Sequence, residues 1–284
     1  MGFRYCGFAD EAGKTLAEQI AATKKLGWPG IEIRMADGKH TCDYDDDEFD
    51  RLWERLQEAG IGIASFGSQI ANWARPITND FAVDVAELKR NIPRMRKVGC
   101  RIIRCMSYPN RKDDPLPQAE WKTEAVRRLR ELARMAADGG VLLAHENCNG
   151  YGSQGPRQFI ELVEAIDNPA FKLIIDTGNQ TLHDNDAEAT WRYYEGTREH
   201  LCHVHIKCAR AGADGKYATC YPDEDPVQAR ILKDLKRRGY DGWVSIEPHL
   251  QAAIHAGKDV EDGAKASWVY VEFGRRLMKL ADTL

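Results

Sequence analysis

The chain has 284 residues, of which 43% are hydrophobic and 30% charged, a balance that supports a large buried core and excludes an intrinsically disordered protein. Its 40 basic and 44 acidic side chains give a net charge of −4 with no basic block. That argues against capture of nucleic acid or of an anionic membrane surface and leaves small molecules as the default ligand. No run approaches the roughly 18 apolar residues of a membrane span. The start, MGFRYCGFAD, lacks a basic-then-apolar signal, so a cytoplasmic protein is expected. Eight cysteines, at 6, 42, 100, 105, 148, 202, 208 and 220, form no CxxC pair and are read as reduced thiols, several on buried strands.

Short β-rich runs alternate with longer amphipathic ones along the whole chain, the pattern of a parallel sheet with crossover helices. Strands are expected at Arg4–Asp10, Gly30–Arg34, Gly60–Gly67, Cys100–Tyr108, Val141–Asn147, Phe171–Asn179, Leu201–Lys207 and Gly242–His249. Between them lie helical patterns such as LAEQIAATKKLG, FDRLWERLQEAG, VAELKRNIPRMRKVG, TEAVRRLRELARMAADGG, RQFIELVEAI and VQARILKDLKRRGY, several stopped by a glycine. A last helix is expected from Ala264 to Leu280. The acidic run DYDDDEF at 43–49 suits a helix N-terminus, and the pairs Arg127-Arg128, Arg237-Arg238 and Arg275-Arg276 read as surface charge.

Eight strand-then-helix units with no linker or composition break predict one domain over 1–284, an α/β fold closed into a (β/α)8 barrel. An open doubly wound sheet is the alternative, but the first βα junction, FADEAGKT, has no G-x-G-x-x-G. Its GKT lacks the glycine of a phosphate loop five positions earlier, where Phe8 stands.

In such a barrel the reactive groups sit where strands end. Four late strands end in metal-ligand types: Glu146 in HEN, Asp176 in IIDTGN, His203 and His205 in HVHIK, and Glu247 in SIEPH. From Glu146 through Asp176 and His205 to Glu247 the spacings are 30, 29 and 42 residues, each about one βα unit. Equal heights on successive strands would bring all four toward the barrel axis. Three carboxylates and an imidazole form a hard, mostly oxygen site suited to one divalent ion, Mn²⁺ first, with Mg²⁺, Co²⁺ or Zn²⁺ tolerated.

G-W-P-G-I-E-I-R at 27–34, H-E-N at 145–147, D-T-G-N at 176–179, H-V-H-I-K at 203–207 and G-Y-D-G-W-V-S-I-E-P at 239–248 make the chain resemble the xylose-isomerase-like sugar phosphate isomerase/epimerase superfamily of TIM barrels. The resemblance spans nearly the whole chain and implies Glu146, Asp176, His205 and Glu247 as metal ligands, with Glu146 and Glu247 as the catalytic base and acid. It also implies a homo-oligomer. Two departures bear on the substrate: Cys208 stands where the family's HxHxKD has Asp, and ATCYPDEDP replaces a common Gly-Glu-Gly. Asn179 and Gly152 occupy positions where ketose 3-epimerases often carry His and Glu, which argues against a free ketohexose as substrate.

The implied reaction is isomerisation or epimerisation of a keto-sugar or sugar derivative by proton transfer through a metal-stabilised enediolate. The alternative is a metal-dependent lyase or dehydratase that carries out β-elimination on an inosose or 3-keto-glycoside supplied by a partner oxidoreductase. An apurinic endonuclease and a non-catalytic sugar-binding subunit are the readings from other classes; the charge argues against the first and the complete ligand set against the second. Asn179, Lys207, His249, Glu32 and Tyr108 are the expected substrate-binding residues, while His145, preceding a ligand, is expected to alternate away from it. Arg34 either meets substrate or pairs with neighbours, and Trp73 and Tyr151 fall in βα loops.

Overall fold

The computed structural model describes residues 2–250 and 263–284. Eight parallel strands run in chain order: β1 (Arg4–Gly7), β2 (Gly30–Ile33), β3 (Gly62–Phe66), β4 (Ile102–Ser107), β5 (Leu142–Gly150), β6 (Phe171–Asp176), β7 (Leu201–Ile206) and β8 (Trp243–Ile246). They lie in one sheet in the order β1-β8-β7-β6-β5-β4-β3-β2, and a parallel bridge between Phe8 and Glu32 joins the first strand to the second. The fold is the expected (β/α)8 barrel.

The helices are α1 (Leu16–Lys25), α2 (Asp46–Glu58), α3 (Ala82–Val98), α4 (Gln118–Asp138), α5 (Pro156–Ile166), α6 (Asn179–Asp184), α7 (Ala189–Thr197), α8 (Pro226–Arg237) and α9 (Gly263–Asp282). Local sequence sets their ends. Thr15, the last residue of GKT, forms a reciprocal capping box with Glu18 at the start of α1. Asp45 of the acidic run does the same with Glu48 for α2, whose Phe49, Leu52 and Leu56 are buried; each such burial contributes roughly 1.5–3 kcal/mol. Gly99 ends α3 in the left-handed conformation. Pro156 starts α5, where its missing N–H leaves no helical bond unmade. Helices α6 and α7 lie in a stretch without a long amphipathic pattern, and Asn185 at φ 52° ends the first of them. Two short hairpins, Met35–Ala36 with Lys39–His40 and Ala209–Ala211 with Tyr217–Thr219, leave the ends of β2 and β7. The first turns on Asp37-Gly38, both at positive φ.

The chain divides into two compact units, one made of the segments before Ser65, Asp176–Tyr194 and His203 onward, the other of Ser65–Ile175 and Glu195–Cys202. In the first, Phe8, Ile31, Val204, Ile206 and Ile246 are buried on the strands, and Trp28 meets the Tyr270 ring of α9 edge-on at 6.3 Å. In the second, Ile102, Ala144 and Ile174 of adjacent strands form a buried cluster with Leu142 and Cys202 around it. All eight cysteines are free thiols. Among the described residues, no helix is long and apolar enough to cross a membrane.

The basic pairs are not all surface charge. Arg127 is half exposed, but Arg128 is buried, donates to the Asn79 carbonyl at 2.9 Å and lies over the Phe81 and Tyr108 rings. Adjacent helical residues point about 100° apart, so a sequence pair need not share a face.

Candidate active site

In the first unit, strands β6, β7 and β8 deliver Asp176, His205 and Glu247, each offering a ligand atom within 4.8 Å of the others. Asp176 is the last residue of β6. Its Oδ1 accepts from the amides of Gly178 (2.9 Å) and Asn179 (2.8 Å) at the start of α6, while Oδ2 lies 3.1 Å from Lys207 Nζ. His205 turns Nε2 to Glu32 and Nδ1 toward Glu247 Oε2 at 3.7 Å, with its ring edge-on to Phe8 at 5.0 Å. Glu247, just past β8, shares its oxygens between two sides. Oε1 meets Arg34 Nη1 at 3.0 Å and His249 Nε2 at 3.1 Å, and Oε2 meets Lys207 Nζ at 3.3 Å.

A second layer of charge fixes these groups. Glu32 on β2 accepts from His203 Nε2 (2.9 Å), Ser245 Oγ (2.7 Å) and His205 Nε2. Burial alone would raise its carboxyl, but the two imidazoles facing it hold it well below the usual carboxylate range. Burial likewise opposes ionisation of Glu247, and Lys207, His249 and Arg34 together reverse that. Arg34 grips Asp10 with two bonds, 2.7 and 3.1 Å, over the Phe8 ring. Glu11 is different: burial pushes its carboxyl up to about 8 against the pull of Arg34, and the carboxyl accepts the His249 amide at 2.9 Å.

In the second unit, Glu146 is buried on β5 and accepts from Arg104 Nη1 at 3.1 Å, while Arg104 Nη2 reaches the Ser68 carbonyl at 3.3 Å. His145 is fully buried among Phe159 and Phe171, its Nε2 2.9 Å from Ser107 Oγ, as expected of a residue alternating away from Glu146.

A family model described as "Xylose isomerase-like TIM barrel" matches residues 20–269. The chain belongs to that family. Among its relatives is the L-ribulose-5-phosphate 3-epimerase UlaE of Escherichia coli (strain SMS-3-5 / SECEC), 27% identical over 91% of this chain and 90% of the relative. Solved barrels of the same fold include a xylose isomerase-like TIM barrel protein from Mycobacterium smegmatis in complex with magnesium (TM-score 0.72, 14% identity, 99% and 97% of the two chains). Another is the probable 3-DHS dehydratase AsbF from Bacillus anthracis (TM-score 0.72, 16% identity, 98% and 99%).

Within this family frame, the first unit brings together Asp176, His205, Glu247, Lys207, Asn179, His249 and Glu32 of the expected site residues. Lys207 Nζ also meets Asn179 Oδ1 at 3.0 Å. Glu32 spends its carboxylate on the histidines and Ser245, and Arg34 pairs with its neighbours. Tyr108 is buried at φ 57°, its carbonyl accepting from Trp121 Nε1 at 2.8 Å and its ring beneath Arg128. Tyr151 is buried against Trp121 and donates to Glu161, whereas Trp73 is 64% exposed. Sequence reasoning missed Asp10, Glu11 and Arg104. The first two stand at the end of the predicted first strand, where the strand-end rule applied to the late strands would have found them. The signal for Arg104 was a lone charge inside the apolar run IIRCM.

The donor set fits a divalent cation. Asp176 Oδ2, His205 Nδ1 and Glu247 Oε2 face one another while the opposite atom of each group is anchored by backbone amides, Glu32, or Arg34 and His249. Mixed carboxylate and imidazole donors suit Mn²⁺, Mg²⁺, Co²⁺ or Zn²⁺.

Proposed function

We propose that the protein is a divalent-metal-dependent sugar epimerase or isomerase acting on a keto-sugar or sugar derivative by proton transfer through an enediolate. The observation that carries this reading is the convergence of Asp176 Oδ2, His205 Nδ1 and Glu247 Oε2, each presented by a group whose other side is fixed. Glu146 is the fourth ligand of the proposed set. In its support, it is a buried carboxylate on β5 whose Oε2 is held by Arg104 Nη1 at 3.1 Å.

A bound ion of this kind, Mn²⁺ first, supplies a Lewis acid that polarises a carbonyl and acidifies the adjacent C–H. The protein supplies the proton carriers. Lys207, His249 and Arg34 hold Glu247 ionised, Arg34 and His249 fix its Oε1, and Arg104 fixes one oxygen of Glu146, so that both carboxyl groups are positioned as proton carriers. One glutamate removing a proton and the other returning it on the opposite face inverts the carbon. Lys207, Asn179 and His249 lie around Asp176 and Glu247, where substrate oxygens would be received. The epimerase relatives, covered over nine-tenths of their length, favour a ketopentose phosphate as the first substrate to try.

Elemental analysis of the purified protein, beside Glu247→Gln and His205→Ala, tests the site: about one ion per wild-type chain is expected, lost in both variants. Incubation of L-ribulose 5-phosphate and other keto-sugars in D₂O tests the chemistry. Incorporation of one deuterium at a carbon next to the carbonyl, with no other change of mass, supports epimerisation. A product lighter by one water makes the protein a dehydratase instead, and a wild-type chain that takes up no ion sinks the metal-dependent reading.

A further inference from the structure

We propose that the Lys207 ammonium and the divalent ion compete for the same two carboxylate oxygens, so that loading the site displaces the ammonium from Asp176 and Glu247 toward Asn179. The inference rests on the metal-dependent reading above and adds to it a built-in counter-cation that sets the affinity of the site.

The geometry is specific. Lys207 Nζ lies 3.1 Å from Asp176 Oδ2 and 3.3 Å from Glu247 Oε2, the two oxygens that with His205 Nδ1 make up the donor set in this unit. The ammonium takes up one lone-pair direction on each of those oxygens, and a second positive charge brought to the same two oxygens in a buried site is strongly repelled by it. The other oxygen of each of these two carboxylates is held independently of the ammonium. Asp176 keeps Oδ1 on the Gly178 and Asn179 amides, and Glu247 keeps Oε1 on Arg34 and His249. Each carboxylate thus has one fixed oxygen and one exchangeable oxygen.

The lysine is built to move at its tip only. Its amide donates to Thr177 Oγ1 at 3.2 Å, and its carbonyl accepts from Thr177 Oγ1 (2.9 Å) and Gln228 Nε2 (3.2 Å). The four-carbon stem beyond that anchor is flexible and its three N–H donors rotate freely. Asn179 Oδ1, already 3.0 Å from Nζ, gives the displaced ammonium a partner inside the site. Glycine at 178 leaves the stem its room, since a Cβ there would stand 2.9 Å from Lys207 Cγ.

Titration calorimetry with Mn²⁺ on the full chain tests the competition. Lys207→Met keeps the stem and removes the charge, and is expected to bind Mn²⁺ at least 10-fold more tightly than wild type. It should also melt at a lower temperature in EDTA and gain more from Mn²⁺. Lys207→Arg, which stays charged, is expected to gain no affinity. Equal or weaker binding by Lys207→Met, with wild type taking up about one ion, overturns the inference and leaves the metal-dependent reading standing; a wild type that binds no ion fails that reading instead. Should Lys207→Met not fold, reductive methylation of wild-type protein followed by peptide mass analysis decides. Labelling of Lys207 at least two-fold higher with Mn²⁺ than with EDTA supports the exchange, and equal labelling overturns it.

Discussion

Glu32 receives the Nε2 of His205 at 3.3 Å, a bond that turns the other nitrogen of the same imidazole toward Glu247. The pair spans 173 residues of sequence, from β2 to β7. The carboxylate therefore fixes the ring plane and leaves Nδ1 facing Glu247, the orientation that the proposed metal site requires. Glu32→Gln keeps the size but removes the charge, and its amide nitrogen can offer only donors to one of the two histidines. Metal affinity is expected to fall roughly 10- to 100-fold, the range typical of such outer partners, with little change in the far-ultraviolet circular dichroism. Calorimetric titration of the variant checks this; unchanged affinity would show that His205 is oriented by its ring contacts alone.

Arg104 and Glu146 form a buried ion pair at 3.1 Å, with side-chain exposures of 7% and 1%. Breaking such a pair from one side leaves an uncompensated charge, a loss of about 3–5 kcal/mol. Arg104→Met is expected to lower the unfolding free energy by that order in urea denaturation. The double change Arg104→Met with Glu146→Leu should recover a large part of it, because no buried charge is then left alone. If the double variant is no more stable than the single one, the loss comes from packing around Arg104 and not from its charge.

The strand ends were legible because each apolar run closes on a polar residue of metal-ligand type, one βα unit after the last. That rule finds Asp176, His205 and Glu247 at the ends of β6, β7 and β8. Partners across the fold were not legible in the same way. Arg104 meets its carboxylate 42 positions away and Arg34 reaches Glu247 across 213, distances at which local periodicity carries no information. The stretch NQTLHDNDAEATWRYYEGTREH hides α6 and α7 because Asn185 breaks it into two short helices, neither long enough to repeat an apolar face. Tyr108 closes the expected fourth strand, yet its ring is taken by Arg128 of α4, a tertiary contact the sequence does not announce.

Gly178 links the end of β6 to Lys207. A Cβ at this position would lie 2.7 Å from the Lys207 carbonyl oxygen and 2.9 Å from its Cγ, closer than real side chains approach. The backbone at φ −121° would accept alanine, so the obstacle is space alone. Gly178→Ala is expected to cost about 1–3 kcal/mol by overpacking and to alter metal affinity through the displaced lysine and the shifted Asp176 amide partners. Denaturation and metal titration on the same preparation separate the two effects. A variant that binds metal normally but is destabilised would show that the strain is absorbed on the β7 side without reaching the donor set.

His145 gives the fold a pH dependence that can be read apart from the rest. Full burial lowers its imidazole to about 4, against the pull of Glu146 in the other direction. The unfolded chain takes up a proton near pH 6.5, while the folded chain keeps this ring neutral until about pH 4. Between those values the unfolded state binds more protons, so stability falls as pH falls. The contribution is fully present above pH 6.5 and lost on the way down to about 4. Across that interval the loss amounts to about 3 kcal/mol. His145→Gln removes the titrating group, and its plot of unfolding free energy against pH should be shallower than wild type by up to one proton over this interval. Equal slopes in the two proteins would mean that the ring is protonated in the fold, with Ser107 and Glu146 together stabilising the charge against burial.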